Sequence, residues 1–125
     1  MTLREVIGLV RETKPNQYTD TQMVGWLSEC DSAIFTEIIA THEAVQGMPE
    51  SFSGYTEADL DRQLLVRGPY EIMYRHFLES RIDLYNKETG NYNTTSALYN
   101  NAKLAYAAWY TQTYMPKGRA TYFRL

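Results

Sequence analysis

Cysteine is nearly missing from this 125-residue chain. Cys30 is the only one, so no intrachain disulfide forms and a disulfide-stapled scaffold is excluded. Long apolar runs are missing too. No stretch approaches the roughly 18 residues of a membrane span, and the first residues carry no apolar block of the kind a secretory signal needs. Positive charge is in short supply: 12 Lys and Arg against 15 Asp and Glu give −3, the wrong sign for a general nucleic-acid binder. The chemistry-bearing motifs are absent as well. There is no GxGxxG, phosphate loop, CxxC pair or HExxH. Phenylalanine is scarce at four, whereas tyrosine is abundant at eleven.

What is present suits one packed domain. Hydrophobic residues make up 44% and charged residues 22%, enough to build a core and too apolar for wholesale disorder. Charge and tyrosine are unevenly placed. Residues 1–69 hold five basic and eleven acidic side chains, residues 70–115 four of each, and the last ten Lys117, Arg119 and Arg124 with no acid. Nine of the eleven tyrosines lie at or after Tyr70.

Four helices are expected. Thr2-Leu3-Arg4-Glu5 is a capping box, and Leu3, Val6, Ile7 and Val10 form a one-faced stripe that Lys14-Pro15 stops. A second helix starts near Asp20 as N-cap and reaches His42 or Glu43. Its stripe is Met23, Leu27, Cys30, Ile34 and Ile38, which makes Cys30 a buried, inert thiol. Residues 45–68 lose the helical period and read as an irregular protruding segment, with Gln63–Val66 as a possible short strand. A third helix begins at Pro69-Tyr70 and ends between Asn86 and Gly90. A fourth takes its N-cap from Thr94-Thr95-Ser96 and packs through Leu98, Ala102, Ala105, Trp109 and Tyr110 until Met115-Pro116. Tyr85, Tyr92, Tyr99 and Tyr106 recur every seven residues, but Gly90-Asn91 breaks that register, so a coiled coil is discounted. The expected fold is a mainly α bundle over residues 1–116, followed by an extended tail over 117–125.

Catalytic constellations are weak. His42 precedes Glu43, and His76 stands one turn before Glu79, but a metal needs two further ligands and the Glu-x-x-His order is absent at both. Glu57, Asp59 and Asp61 form an acidic cluster, solvated in a glycine-bounded loop. No catalytic residue, metal or cofactor is expected. Tyr74, Tyr85, Tyr99, Tyr106, Tyr110 and Tyr114 have two readings: rings at the rim of the core, or a subunit interface, where tyrosine is enriched. The tail residues Lys117, Arg119, Tyr122, Phe123, Arg124 and Leu125 read as a basic, apolar docking segment or as a frayed end.

One family pattern runs through the chain. Pro69-Tyr70, Tyr74, Leu78-Glu79, Ile82-Asp83, Asn86, Glu88 and Tyr92-Asn93 are followed by Ser96-Ala97-Leu98-Tyr99-Asn100, Tyr110, Thr113 and Met115-Pro116-Lys117. Upstream, Trp26-Leu27-Ser28-Glu29 with Asp31 fits the same pattern. In this order the residues resemble the small head–tail connector (adaptor) proteins of long-tailed phages and prophages of Gram-positive bacteria, over most of residues 20–117. The resemblance implies a helical, non-catalytic virion protein. It assembles on itself, commonly as a twelve-fold ring, beneath the portal protein, and extends the DNA channel toward the next connector or tail-completion protein. Genomic DNA passes through without sequence-specific binding, and no membrane is involved. On this basis Lys117 to Leu125 is expected to dock on the portal, the six tyrosines to line the subunit interface and Glu57, Asp59 and Asp61 to face the channel. The competing readings are a cytoplasmic helical interaction or regulatory module and a small enzyme using His42, His76 and the acidic loop.

Overall fold

The computed structural model describes residues 1–117 and consists of four α-helices around one hydrophobic core. Helix α1 spans Leu3–Thr13. Its capping box forms as expected: the Glu5 N–H donates to Thr2 Oγ1 at 3.1 Å, and the Thr2 N–H donates to Glu5 Oε1 at 3.1 Å. Leu3, Val6, Ile7 and Val10 are buried on one face.

Helix α2 spans Asp20–Ile34. Its N-cap is Thr19, not Asp20. Thr19 and Gln22 form a second capping box, which leaves Asp20 in the first turn to pair with Arg11 at 2.6 Å. The helix does not continue in α geometry to His42. It widens into a π turn at Phe35–Ile39, and the Ala40 N–H bonds the Phe35 carbonyl at 2.7 Å. The Thr41 hydroxyl then donates to the Ile38 carbonyl at 2.8 Å and closes the end.

The 45–68 segment is irregular, but it does not protrude. Tyr55, Leu64, Leu65 and Val66 are buried core residues, and Phe52 and Leu60 pack against them. The backbone explains the close fit. The Arg4 N–H donates to the Leu60 carbonyl at 2.8 Å, the Leu64 N–H donates to the Met1 carbonyl at 3.0 Å, and Thr2 pairs with Gln63 as an isolated antiparallel bridge. Gln63–Val66 thus supplies one bridge rather than a strand among the described residues. Gly54 sets the turn before Tyr55. Its φ is +99°, and a Cβ there would lie 2.5 Å from Ser28 Oγ, the atom that accepts from the Tyr55 N–H at 3.0 Å.

Helix α3 spans Ile72–Tyr85, one turn later than expected, because Gly68-Pro69-Tyr70 forms a 3₁₀ turn first. Helix α4 spans Thr89–Thr113 and begins five residues before the expected cap. The cause is the tight link between α3 and α4. Lys87 adopts φ 60°, and the Glu88 N–H closes onto the Asp83 carbonyl at 2.9 Å, so helix resumes at once. Thr95, expected as part of a cap, donates its hydroxyl to Asp83 Oδ2 at 2.9 Å instead. Asp83 is buried and also takes Lys14 Nζ at 2.5 Å, tying α1, α3 and α4 together.

No helix among the described residues is long and apolar enough to cross a membrane.

Candidate interaction surface

Helix α4 is 25 residues long, about 37 Å at the helical rise, yet it buries only Thr95, Tyr106 and Tyr110. It packs chiefly along α3 as the second arm of a helical hairpin. The inner seam is Tyr92, Thr95, Tyr99, Ala102 and Tyr106, spaced alternately by three and four residues. The seven-residue spacing of tyrosines from Tyr92 onward therefore marks this seam, because two helices that pack lengthwise favour a 3.5-residue period. Tyr85 is not part of it, since it lies on α3. The packing stripe is rotated from the expected one: Leu98 and Ala105 face outward, with Leu98 45% exposed, and Trp109 sits at the edge, 37% exposed with its ring against Tyr70 and Tyr106.

The outward face of α4 is unusual in its chemistry. Thr89–Thr113 contains a single charged side chain, Lys103, and that one bonds Glu37 of the π turn at 2.6 Å. What remains exposed is Asn, Thr, Gln and Ala around Leu98, Leu104 and Trp109, and Leu104 is 67% exposed. Met115, just beyond the helix, adds a further exposed apolar side chain. A free surface normally carries interspersed charges, whereas interface cores are depleted of them.

The six expected interface tyrosines divide. Tyr74, Tyr106 and Tyr110 are core residues, with no ring surface left to offer a neighbour. Tyr106 and Tyr110 join Tyr70, Trp109 and Tyr114 in an aromatic cluster, with ring centroids 4.6 Å apart for Tyr110–Tyr114 and 5.7 Å for Tyr106–Tyr110. Burial pushes both hydroxyls above the ordinary tyrosine range. Tyr99 is half-buried, with its hydroxyl 3.6 Å from Cys30 Sγ. Tyr114 is half-buried too. Tyr85 is exposed, stacked on Trp26 at 5.3 Å. Cys30 itself is buried, and desolvation raises its thiol far above the reactive range.

Glu57, Asp59 and Asp61 lie together on a 3₁₀ turn and the residues after it. Each is engaged locally. Glu57 accepts from the Thr21 hydroxyl, Asp59 accepts from the Thr56 N–H at 2.7 Å, and Asp61 pairs with Arg4 at 2.8 Å. Arg4 holds the Asp61 carboxyl below its ordinary range. Glu57 and Asp61 are exposed and Asp59 is half-exposed.

The histidine pairs do not assemble as sites. Glu79 takes the Thr13 hydroxyl at 2.9 Å and Arg75 Nε at 3.2 Å, and desolvation lowers the neighbouring His76. His42 turns inward against Tyr110, with ring centroids 4.9 Å apart. Among the described residues no group of three His, Cys, Asp or Glu side chains is placed to hold a metal. Of the expected tail residues only Lys117 is described, and it is exposed. Arg119, Tyr122, Phe123, Arg124 and Leu125 lie outside the described residues.

The near-absence of charge along α4, where Lys103 is the one ionised side chain, is visible in the sequence and points to this surface, whereas hydropathy alone turns Leu98 and Trp109 toward the core.

Compared with protein-family models, with curated proteins and with solved structures, the chain matches none.

Proposed function

We propose that this chain is a structural subunit that assembles with copies of itself through the outward face of α4. We further propose that it forms a head–tail connector ring beneath a portal protein, as in the phage proteins its sequence resembles. The observation that carries the reading is the open surface of a 25-residue helix whose only charge, Lys103, is paired with Glu37, with Leu104 at its centre.

The occupant favoured is a second copy. The chain carries −3 overall, so copies repel one another weakly at long range. The α4 face is a surface where two copies meet without opposing like charges. Leu98, Leu104 and Trp109 supply the apolar area, and the Asn and Thr side chains around them supply hydrogen bonds. In a ring this face meets a different patch on the neighbour, because head-to-tail contacts close a circle. Tyr85 and Leu84, exposed at the end of α3, offer such a patch.

Within this reading the subunit has no catalytic task and works in the virion, at the junction of capsid and tail. Glu57, Asp59 and Asp61 line or rim the channel, where repulsion from the phosphates keeps DNA moving. Lys117, Arg119, Tyr122, Phe123, Arg124 and Leu125 dock on the portal.

The test is to mix the purified chain with the portal protein of the same genome and image the product by electron microscopy. The reading expects a ring of extra density below the portal. Portal particles without that density, under conditions where both proteins stay soluble, contradict it.

A further inference from the structure

The geometry points to the surface that receives the outward face of α4 on a neighbouring copy: the cleft between the α1–α2 link and the end of α3. The inference rests on the self-assembly reading above and names where that face lands.

The cleft has a volume of about 750 Å³ and is lined by Pro15, Asn16, Gln17, Tyr18, Gln22 and Asn86. None of these side chains is charged. The neighbouring cations Arg11 and Lys14 are paired with Asp20 and Asp83. A surface that covers the cleft therefore strands no lone charge of its lining. An aromatic shelf stands beside it. Tyr85 is 58% exposed and stacks on Trp26 at 5.3 Å, while Tyr18 meets Trp26 edge-on at 5.2 Å. Tyrosine and tryptophan are the side chains that most often carry binding energy at protein contacts.

Two other concavities among the described residues suit the α4 face less well. The one beside the π turn is lined by Glu43, Glu50 and Lys117, and the one after α3 by Asp83, Lys87 and Glu88. The α4 face has nothing to answer those charges, since its Lys103 bonds Glu37. Docking there would take charged groups out of water without a partner.

The cleft is also set before anything docks. Residues 15–19 form neither helix nor strand, yet side chains lock the link. Asn16 Nδ2 donates to the Lys14 carbonyl at 3.0 Å, and the Tyr18 N–H donates to Asn16 Oδ1 at 3.0 Å. Arg11 donates to the Tyr18 carbonyl at 3.1 Å, and the Tyr18 hydroxyl donates to Asn86 Oδ1 at 2.6 Å. A surface held this way loses little freedom on association. Asn86 accepts through its oxygen, as Gln22 does from the Thr19 N–H, so both offer amide N–H groups to the Asn side chains exposed on α4.

The occupant comes from a second molecule. Leu104 lies fifteen residues beyond Thr89, about 22 Å along α4 from the α3–α4 link that borders the cleft. A chain therefore does not fill its own cleft with its own Leu104. Two different surfaces meet, and repeating such a contact closes a ring or extends a filament.

The test is thiol cross-linking of the full chain on the portal protein. Gln17→Cys marks the cleft and Ala108→Cys marks the α4 face beside Leu104. Both positions are exposed, and the native Cys30 is buried. With a short bismaleimide, the double variant is expected to give a ladder of covalent multimers beyond the dimer, and each single variant only monomer. Rings seen by electron microscopy without the ladder overturn this inference and leave the ring reading standing. Covalent dimers from Ala108→Cys alone overturn it too, because they set α4 against α4 across a two-fold axis. Absence of any rings, with both proteins folded and soluble, overturns the ring reading and this inference with it.

Discussion

Tyr74 on α3 donates its hydroxyl to Asp31 Oδ1 on α2 at 2.6 Å, and both side chains are buried. The same hydroxyl accepts from the Val66 N–H at 2.7 Å. The other carboxylate oxygen accepts from the Leu65 N–H at 3.1 Å and from the Tyr55 hydroxyl. One carboxylate therefore joins two helices to the irregular middle segment and holds that segment against the core. Tyr74→Phe leaves the Val66 N–H and one Asp31 oxygen unpaired in the interior. It should cost about 1–3 kcal/mol of folding stability, measured by urea denaturation. A loss below a few tenths would mean that the network does not hold the segment.

Asp31 also gives a pH signature. Desolvation holds its carboxyl above the ordinary value of 3.8, against the opposing effect of its hydrogen-bond donors. The folded chain thus keeps this proton to a higher pH than the unfolded chain does. The resulting stability is fully present below the unfolded value and is lost as pH rises through the folded one. Compared with Asp31→Asn, which does not ionise, the wild type should gain relative stability as pH falls from neutrality toward 4. Paired denaturation midpoints across that range check this. A relative loss on acidification has the wrong sign for the account.

Gly54→Ala should destabilise the chain by about 1–3 kcal/mol, because the residue keeps a positive φ and its new Cβ meets Ser28 Oγ. Gly47→Ala is the control. It also has a positive φ, but nothing stands within 4 Å of the added carbon, so it should cost less. Equal losses in thermal denaturation would remove the Ser28 contact from the explanation.

Lys14→Met removes the cation from the fully buried Asp83. Lys14 keeps some contact with water, so the loss should lie near about 3 kcal/mol, the lower edge for breaking a buried pair. Unfolding midpoints near neutral pH measure it, and an unchanged midpoint would show that Thr95 and the backbone suffice.

The helices were legible where short-range rules govern them. The Thr2–Glu5 box and the Leu3–Val10 stripe need only neighbours in sequence, and Cys30 fell inside a stripe that is indeed buried. The failures have a common cause in contacts between distant residues. Asp31 meets partners 24 to 43 residues away, so nothing local announced that Tyr55–Val66 would be drawn inward. The π turn at Phe35–Ile39 adds a residue to a helical loop, which a 3.6-residue pattern does not register. Tyrosine, and not leucine, fills the inner seam of α4, so hydropathy alone turns this helix to the wrong face.

The proposed contact between copies of this chain lies on the outward face of α4, where the one charge is the paired Lys103. A double variant, Leu104→Glu with Ala108→Glu, places two charges on that face without entering the core, since both positions are exposed. The most direct measurement images wild type and variant, each mixed with the portal protein, after circular dichroism has shown both to be equally folded. Complete rings on the portal are expected for the wild type, and for the variant at most isolated subunits held there. Complete rings from the folded variant would contradict the proposed contact.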